Sequence, residues 1–496
     1  MNIITLVSQF GVWGQSHPSL IVGTVLGVPV LLAGASLVRR VRRGDDTTHG
    51  SARWATPREV RRVGLCGQTG VVIGRFRGRL LADAGETHIL LMGPTRSGKG
   101  LSTLGCTLRR GWPGSVLVLD PKDGENYDLS GAQRAAMGQE VALFTPYKAS
   151  QTCIDVLDAI RYGTPHEDRD ADTVAASLVS PGKLKRESST SLHFRDLARM
   201  LLKAVLLHLG YTCTHPCLAG AWHFMTQQHA SLQECMATMA TTAHSAHGVH
   251  GAIASLTRAI GNITGDRELG SVWSTAIRPL EMYNDYYIAK ATETSTVSLD
   301  ALQYGRRPLS LYLAAPSPSD LERLHPLYRV IVDMAMYQLQ QHKPRSWQHR
   351  LLVCADELPW YGYTRAVDKD IAVVAGYGIK MLLVTQDLPM LEEVYGDNNA
   401  LMGNTHLKIF HTPTNDLTAK RLSENLIGRG TIANPVESQQ AGTWGQRGVS
   451  FQQIARPLLT PDEVMELPRD KQIVRVSGCK PILCDKVDYR TDPDFR

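Results

Sequence analysis

From Thr87 onward the chain alternates short, uninterrupted apolar runs with longer mixed segments. Val116-Leu-Val-Leu-Asp120 and Val141-Ala-Leu-Phe144 are bounded by turn residues and lack polar alternation, the pattern of strands buried on both faces of a parallel sheet. The alternation then lapses. Between residues 165 and 283 no strand is expected, and residues 191–209 and 230–243 place apolar side chains at helical spacing. Strand runs resume at Leu309-Ser-Leu-Tyr-Leu-Ala314, Leu351-Leu-Val-Cys-Ala355, Met381-Leu-Leu-Val384 and Leu407-Lys-Ile-Phe410. The pattern therefore predicts an α/β domain interrupted by an all-α domain and completed afterwards: residues 44–164, the insertion 165–283, then residues 284–496. Within residues 44–86, Val71-Val-Ile-Gly74 and Leu80-Leu-Ala82 read as short strands capping that domain.

The first 43 residues follow a different rule. Residues 20–38 carry no charge, and Arg39, Arg40, Arg42 and Arg43 follow at once. That is the length of a transmembrane helix with basic residues on one side, which predicts a membrane anchor in residues 1–43 and a cytoplasmic location for the rest. A cleaved signal peptide needs its basic cluster on the other side. Residues 3–13 are also apolar but too short to span unaided.

Composition changes this picture little. A hydrophobic content of 43% and a charged content of 20% are those of a globular protein, and a net charge of +6 permits contact with nucleic acid or anionic lipid without arguing for either. Nine cysteines without a C-x-x-C pair argue for a reducing compartment and against a disulfide framework.

The chemistry begins at Thr87-His-Ile-Leu-Leu-Met-Gly-Pro-Thr-Arg-Ser-Gly-Lys-Gly100, an apolar strand entering a glycine-rich loop with a lysine. Gly93 and Gly98 let the backbone of Pro94, Thr95, Arg96 and Ser97 turn tightly, so that successive N–H groups face one anion. Lys99 adds a mobile positive charge, and a helix from Leu101 to Arg109 points its N-terminus at the same place. The pattern G-x-x-x-x-G-K-[ST] fails in its last position, where Gly100 replaces the magnesium-binding hydroxyl; Ser102 and Thr103 are the nearest substitutes. Hydrolysis also needs an acid that positions magnesium and a group that orients water. The strand ending in Asp356 and Glu357 supplies both: Asp356 for the metal, Glu357 to polarise the water. The strand from Lys380 to Thr385 then delivers Gln386, which both donates and accepts near a γ-phosphate. Three polar ends on three buried strands predict a RecA-like ATPase core binding ATP and Mg²⁺.

Longer stretches carry a resemblance. Gly50-Ser-Ala-Arg-Trp54, the loop Gly93 to Gly100, Leu119-Asp-Pro-Lys-Asp-Gly-Glu-Asn126, His193-Phe-Arg-Asp-Leu-Ala198, Asp356-Glu-Leu-Pro359, Gln386, Gly403-Asn404 and Arg456-Pro-Leu-Leu-Thr-Pro-Asp-Glu-Val464 make the chain resemble the type IV secretion coupling proteins, the TraG/TraD-type conjugal transfer ATPases. The resemblance implies an inner-membrane, homo-hexameric ATPase. It would hand a relaxase with its single-stranded DNA, effector proteins, or both to a secretion channel. It also implies that Gly after the loop lysine is a family trait, that Lys99 grips phosphate, and that Gln386 links the γ-phosphate to a moving segment. Asp120 and Lys122 would line the same site. Relatives usually have two N-terminal spans, where this chain has one clear run and a stub. Arg329, Arg365 and Arg421 are alternatives for an arginine reaching a neighbouring subunit, with Lys380 near the same region.

Three rivals are weighed: a coupling protein for protein effectors alone, a non-motor docking receptor regulated by ATP, and a chromosome-partition DNA translocase, which is not expected to share the long stretches above. The spacing of His244, His247 and His250 drifts round a helix and reads as polar surface rather than a metal site. Cys213, His215 and Cys217 leave a fourth ligand unnamed. The arginines from Arg58 to Arg62 are assigned to lipid headgroups before DNA.

Overall fold

The computed structural model describes residues 48–148, 151–180, 189–229, 231–262, 265–439 and 447–495. Residues 3–13, the uncharged run 20–38 and the arginines at 39–43 lie outside them. Among the described residues no helix is long and apolar enough to cross a membrane.

The chain divides into two compact units. The larger, Trp54–Leu422 with Pro461–Arg496, is built on one sheet. Its strands are β1 (Val71–Phe76), β2 (Arg79–Asp83), β3 (His88–Met92), β4 (Ser115–Asp120), β5 (Glu140–Phe144), β6 (Leu309–Ala314), β7 (Leu351–Ala355), β8 (Ile379–Thr385) and β9 (Thr405–Phe410). The smaller unit holds a hairpin of β10 (Arg429–Gln439) and β11 (Arg447–Pro457), and β12 (Lys471–Val476) and β13 (Ile482–Asp485) return to the large sheet. The order across that sheet is β2-β1-β13-β12-β9-β3-β8-β7-β4-β6-β5.

From β9 to β5 every pairing is parallel, and from β12 to β2 every pairing is antiparallel. The apolar runs explain this. β3, β4, β6, β7 and β8 are buried at every position, as strands covered on both faces must be. β1 and β2 do not cap the domain; they extend the same sheet as its antiparallel edge. Lys380 enters the apolar run of β8 fully buried. Its Nζ donates to Asp83 Oδ2 at 2.8 Å, Gly85 O at 3.1 Å and Thr87 O at 2.5 Å, so all three donors are used and the turn before β3 is tied to β8.

Between β5 and β6 the described residues form helices and turns without a strand. The helix Ser189–Thr212 buries Leu201, Leu202, Val205 and Leu209, and Glu167–Leu178 packs on Pro318–Leu339. His244, His247 and His250 are not on a helix. A turn with Gly248 at φ +97° separates them, His244 Nε2 lies 2.9 Å from His208 Nδ1, and His250 Nε2 lies 3.0 Å from Glu167 Oε1. Among the described residues no group of His, Cys, Asp or Glu is arranged to hold a metal, and all nine cysteines are free.

In the smaller unit, Gly50 sits at φ +136° and a Cβ there would lie 2.2 Å from Arg429 O, which accounts for a glycine before the Ser51–Gly430 bridge.

Candidate nucleotide site

The carboxyl ends of β3, β8, β7 and β4, neighbours in the sheet, open into one cavity of about 1090 Å³. A crevice at the carboxyl ends of parallel strands is where open α/β sheets bind ligands.

The loop after β3 forms one wall. Gly98 has φ +90°, and Gly93 is pressed so closely that a Cβ would lie 2.7 Å from both His411 Cβ and Ser97 Oγ. Arg96 adopts φ +61° at the exposed tip. Lys99 is 6% exposed, and its Nζ donates to Gly93 O at 2.6 Å and Pro94 O at 3.3 Å while standing 3.2 Å from Glu357 Oε1. The following segment is helical as expected, but with wide i to i+5 turns at Gly100–Leu104 and Thr107–Gly111. Ser102 breaks the helical dihedrals at φ −100°, ψ −108°.

Glu357 terminates β7 in the left-handed region, at φ 53° and ψ 51°. A non-glycine residue held there is strained by on the order of 1 kcal/mol, a cost that surrounding structure must offset. Its Oε1 faces Lys99, whereas its Oε2 is buried with no hydrogen-bond partner among the described residues. Asp356 is 4% exposed and receives Asn126 Nδ2 at 3.4 Å. Burial raises its pKa, opposed by Lys122; the neighbouring Glu357 raises it further, and Lys99 opposes. Gln386, just past β8, accepts a hydrogen bond from Thr95 Oγ1 at 3.3 Å.

Pro94, Thr95, Arg96, Ser97, Gly98, Lys99, Gly100 and Leu101 line the cavity together with Lys122, Asp356, Glu357 and Gln386. Gly93, Asp120 and Ser102 do not. Gly93 packs against His411 and Ser97. Asp120 is fully buried and caps the helix Glu125–Ala136, accepting Asn126 N at 2.8 Å and Tyr127 N at 3.3 Å; burial raises its pKa to about 7. The Ser102 hydroxyl donates to Gly98 O at 2.7 Å, and Thr103 is fully buried. Of the possible trans cations, Arg329 is only 5% exposed and Lys380 is enclosed, whereas Arg365 and Arg421 are exposed, Arg421 within 3.2 Å of Glu392.

Several site residues lay outside the sequence reading. His411, directly after β9, places Nδ1 3.2 Å from Ser97 Oγ and Nε2 3.1 Å from Gln472 Oε1, and Gln472 Nε2 in turn donates to Ile73 O at 2.6 Å. Nδ1 also lies 3.1 Å from the Ser97 carbonyl oxygen, so the ring bridges the phosphate loop on one side and the Gln472 oxygen on the other. Burial pushes the His411 pKa down to about 3. Lys486 donates to Ser97 O at 3.0 Å, and burial lowers its pKa to about 8. A polar residue ending an apolar strand was the signal used for Asp356 and Gln386. It was equally present at His411.

A glycine-rich loop with its lysine, an acid pair and a glutamine on adjacent parallel strands define a P-loop ATPase of the RecA-like kind. The family described as type IV secretory system conjugative DNA transfer matches residues 53–496. The chain is 30% identical to conjugal transfer protein TraG of Escherichia coli, over 99% of this chain and 86% of TraG. It is 27% identical to protein VirD4 of Agrobacterium fabrum, over 90% of this chain and 67% of VirD4. The fold is similar to that of the plasmid coupling protein TrwB in complex with ADP and Mg²⁺, with a TM-score of 0.63 at 16% identity, covering 90% of this chain and 96% of TrwB. The chain belongs to the type IV secretory system conjugative DNA transfer family, and is a type IV coupling protein with a P-loop ATPase site.

Proposed function

We propose that this protein is a membrane-anchored, hexameric coupling ATPase that uses ATP hydrolysis to deliver relaxase-bound single-stranded DNA, proteins, or both to a type IV secretion channel. The observation that carries the reading is the meeting of Lys99, Asp356, Glu357 and Gln386 at the ends of adjacent strands in one cavity. Residues 20–38 are the anchor, and the helical segment 165–283 is the domain that meets substrate or adaptor. The neighbouring subunit receives Arg365 or Arg421, the exposed members of the earlier set.

The N–H groups from Thr95 to Leu101 cradle the phosphates, and Lys99 meets the β- and γ-oxygens. All three Lys99 donors face oxygen acceptors, so a γ-phosphate oxygen competes with Glu357 for the ammonium. Binding ATP thereby releases Glu357 from its ion pair, and its carboxylate accepts the proton of the attacking water. Asp356, a buried carboxylate beside Asn126, fits a hard divalent cation held through water, with Ser102 turned away from that role. Magnesium, when bound, neutralises charge developing on the phosphate oxygens. Gln386, joined to Thr95, registers the γ-phosphate and passes its loss to the segment after β8.

The purified full chain is expected to hydrolyse ATP faster with single-stranded DNA, with binding to DNA weakening as salt rises. Lys99→Ala is expected to abolish turnover. Turnover indifferent to DNA would assign the protein to effector proteins alone. Nucleotide binding without turnover in the assembled protein would make it a docking receptor. Unchanged turnover in Lys99→Ala would contradict the ATPase site.

A further inference from the structure

The cavity extends past the phosphate loop to a wall that neither the loop nor the acid pair explains. Beyond β13 the chain turns back along the helix that follows the loop, and Tyr489 lines the cavity there with Arg109. The Tyr489 amide donates to Leu101 O at 3.2 Å, which sets the residue beside the first turn of that helix, next in line after the phosphate cradle. The Arg109 guanidinium lies 5.0 Å from the centre of the Tyr489 ring and donates to Leu129 O at 3.0 Å. The ring packs against Gly105, where a Cβ would lie 2.3 Å from Gly100 O and 2.9 Å from Tyr489 Cδ1.

The segment that carries the ring is held at several points. Arg75 Nε and Nη2 each donate to Asp492 at 2.7 Å, and Arg75 also binds Asp494. Arg110 Nη1 donates to Asp494 O at 2.9 Å. Val487 and Phe495 are buried against Val72 and Cys106. An aromatic ring fixed at the wall of a polar cavity, backed by a guanidinium, offers a flat surface for a planar heterocycle at little ordering cost.

We propose that Tyr489, backed by Arg109, is the surface on which the purine base of the bound nucleotide stacks, so that the segment after β13 completes the site. This rests on the nucleotide reading above and adds the base subsite to it. Stacking reads the face of the base and not its phosphates. Removal of the ring therefore affects nucleoside triphosphates and spares tripolyphosphate.

The test is titration calorimetry on the full-length protein with a non-hydrolysable ATP analogue and, separately, with inorganic tripolyphosphate. Tyr489→Ala is expected to weaken the analogue by about tenfold while tripolyphosphate binding is unchanged, and Tyr489→Phe to restore the analogue to within about threefold of the parent protein. Retained tripolyphosphate binding shows that the loop is still folded. In Tyr489→Trp, fluorescence is expected to change with the analogue and not with tripolyphosphate. Equal losses for both ligands in Tyr489→Ala, or no loss for either, would overturn the proposal. A parent protein that binds neither ligand, or a Lys99→Ala variant that binds both as before, would overturn the nucleotide reading itself and the base subsite with it.

Discussion

Lys99 Nζ stands 3.2 Å from Glu357 Oε1, with both side chains almost wholly buried and the other Glu357 oxygen unpartnered. A buried pair of this kind is held by its hydrogen bonds rather than by net Coulombic gain, because desolvation of both charges offsets most of the attraction. Lys99 has its carbonyl partners at Gly93 and Pro94, whereas Glu357 depends on Lys99. On the proposed mechanism, Glu357 is thus the member that a competing phosphate oxygen would release.

The loop is braced from behind by Lys486 and His411, both on Ser97. Lys486→Met removes the hydrogen bond to the Ser97 carbonyl, worth on the order of 1 kcal/mol. ATP affinity is expected to fall roughly fivefold, with thermal stability nearly unchanged. Calorimetric titration checks this, and an affinity equal to the parent's would show that the brace does not shape the loop.

Among the described residues, Gln386 is joined to the loop by the hydrogen bond from Thr95. Gln386→Ala is expected to leave ATP binding within about threefold of normal, since one exposed neutral hydrogen bond contributes about 1 kcal/mol or less. Stimulation of turnover by DNA is expected to disappear. Parallel measurement of binding and of stimulated turnover separates the two effects, and a matching loss in both would make Gln386 a binding residue only.

The buried histidines set an acid limit. His88 accepts a hydrogen bond from Met381 N at 3.1 Å, and burial lowers its pKa to about 4; that of His411 is lowered to about 3. Each stays neutral in the fold while its unfolded counterpart charges below about 6.5. The stability they contribute is fully present above about pH 6.5 and is lost as pH falls towards 4 and 3. The combined loss is on the order of several kcal/mol. Urea unfolding at steps from pH 7 to pH 4.5 is expected to show this decline, with a shallower slope in His411→Asn. An unchanged slope in that variant would remove His411 from the account.

Most of the parallel sheet was legible because β3, β4, β6, β7 and β8 are mainly apolar runs too short for helices, as strands covered on both faces are. Of the antiparallel part, β1 and β2 were legible as short strands, whereas β12 was not, since Lys471, Gln472 and Arg475 interrupt its apolar positions, nor was the four-residue β13. Asp356, Glu357 and Gln386 were legible as polar residues ending buried strands. Asp120, brought in by the resemblance, also ends a buried strand, and its carboxylate serves the backbone of the next helix, a choice between cavity and cap that only three-dimensional placement makes. The Ser102 hydroxyl is within reach of a carbonyl four residues back and bonds to it. Lys486 and Tyr489 reach the loop from almost four hundred positions away, a distance over which local pattern carries no information.

On the proposed mechanism Glu357 activates water and does not hold the nucleotide. Single-turnover phosphate release from ATP bound to the full-length protein tests it most directly, with the parent protein compared to Glu357→Gln. The amide keeps the size of the side chain but does not accept the proton, so release is expected to slow by roughly a hundredfold or more while the affinity for ATP is kept or increased. Release at the parent rate, or a loss of ATP binding as large as the loss of rate, would contradict it.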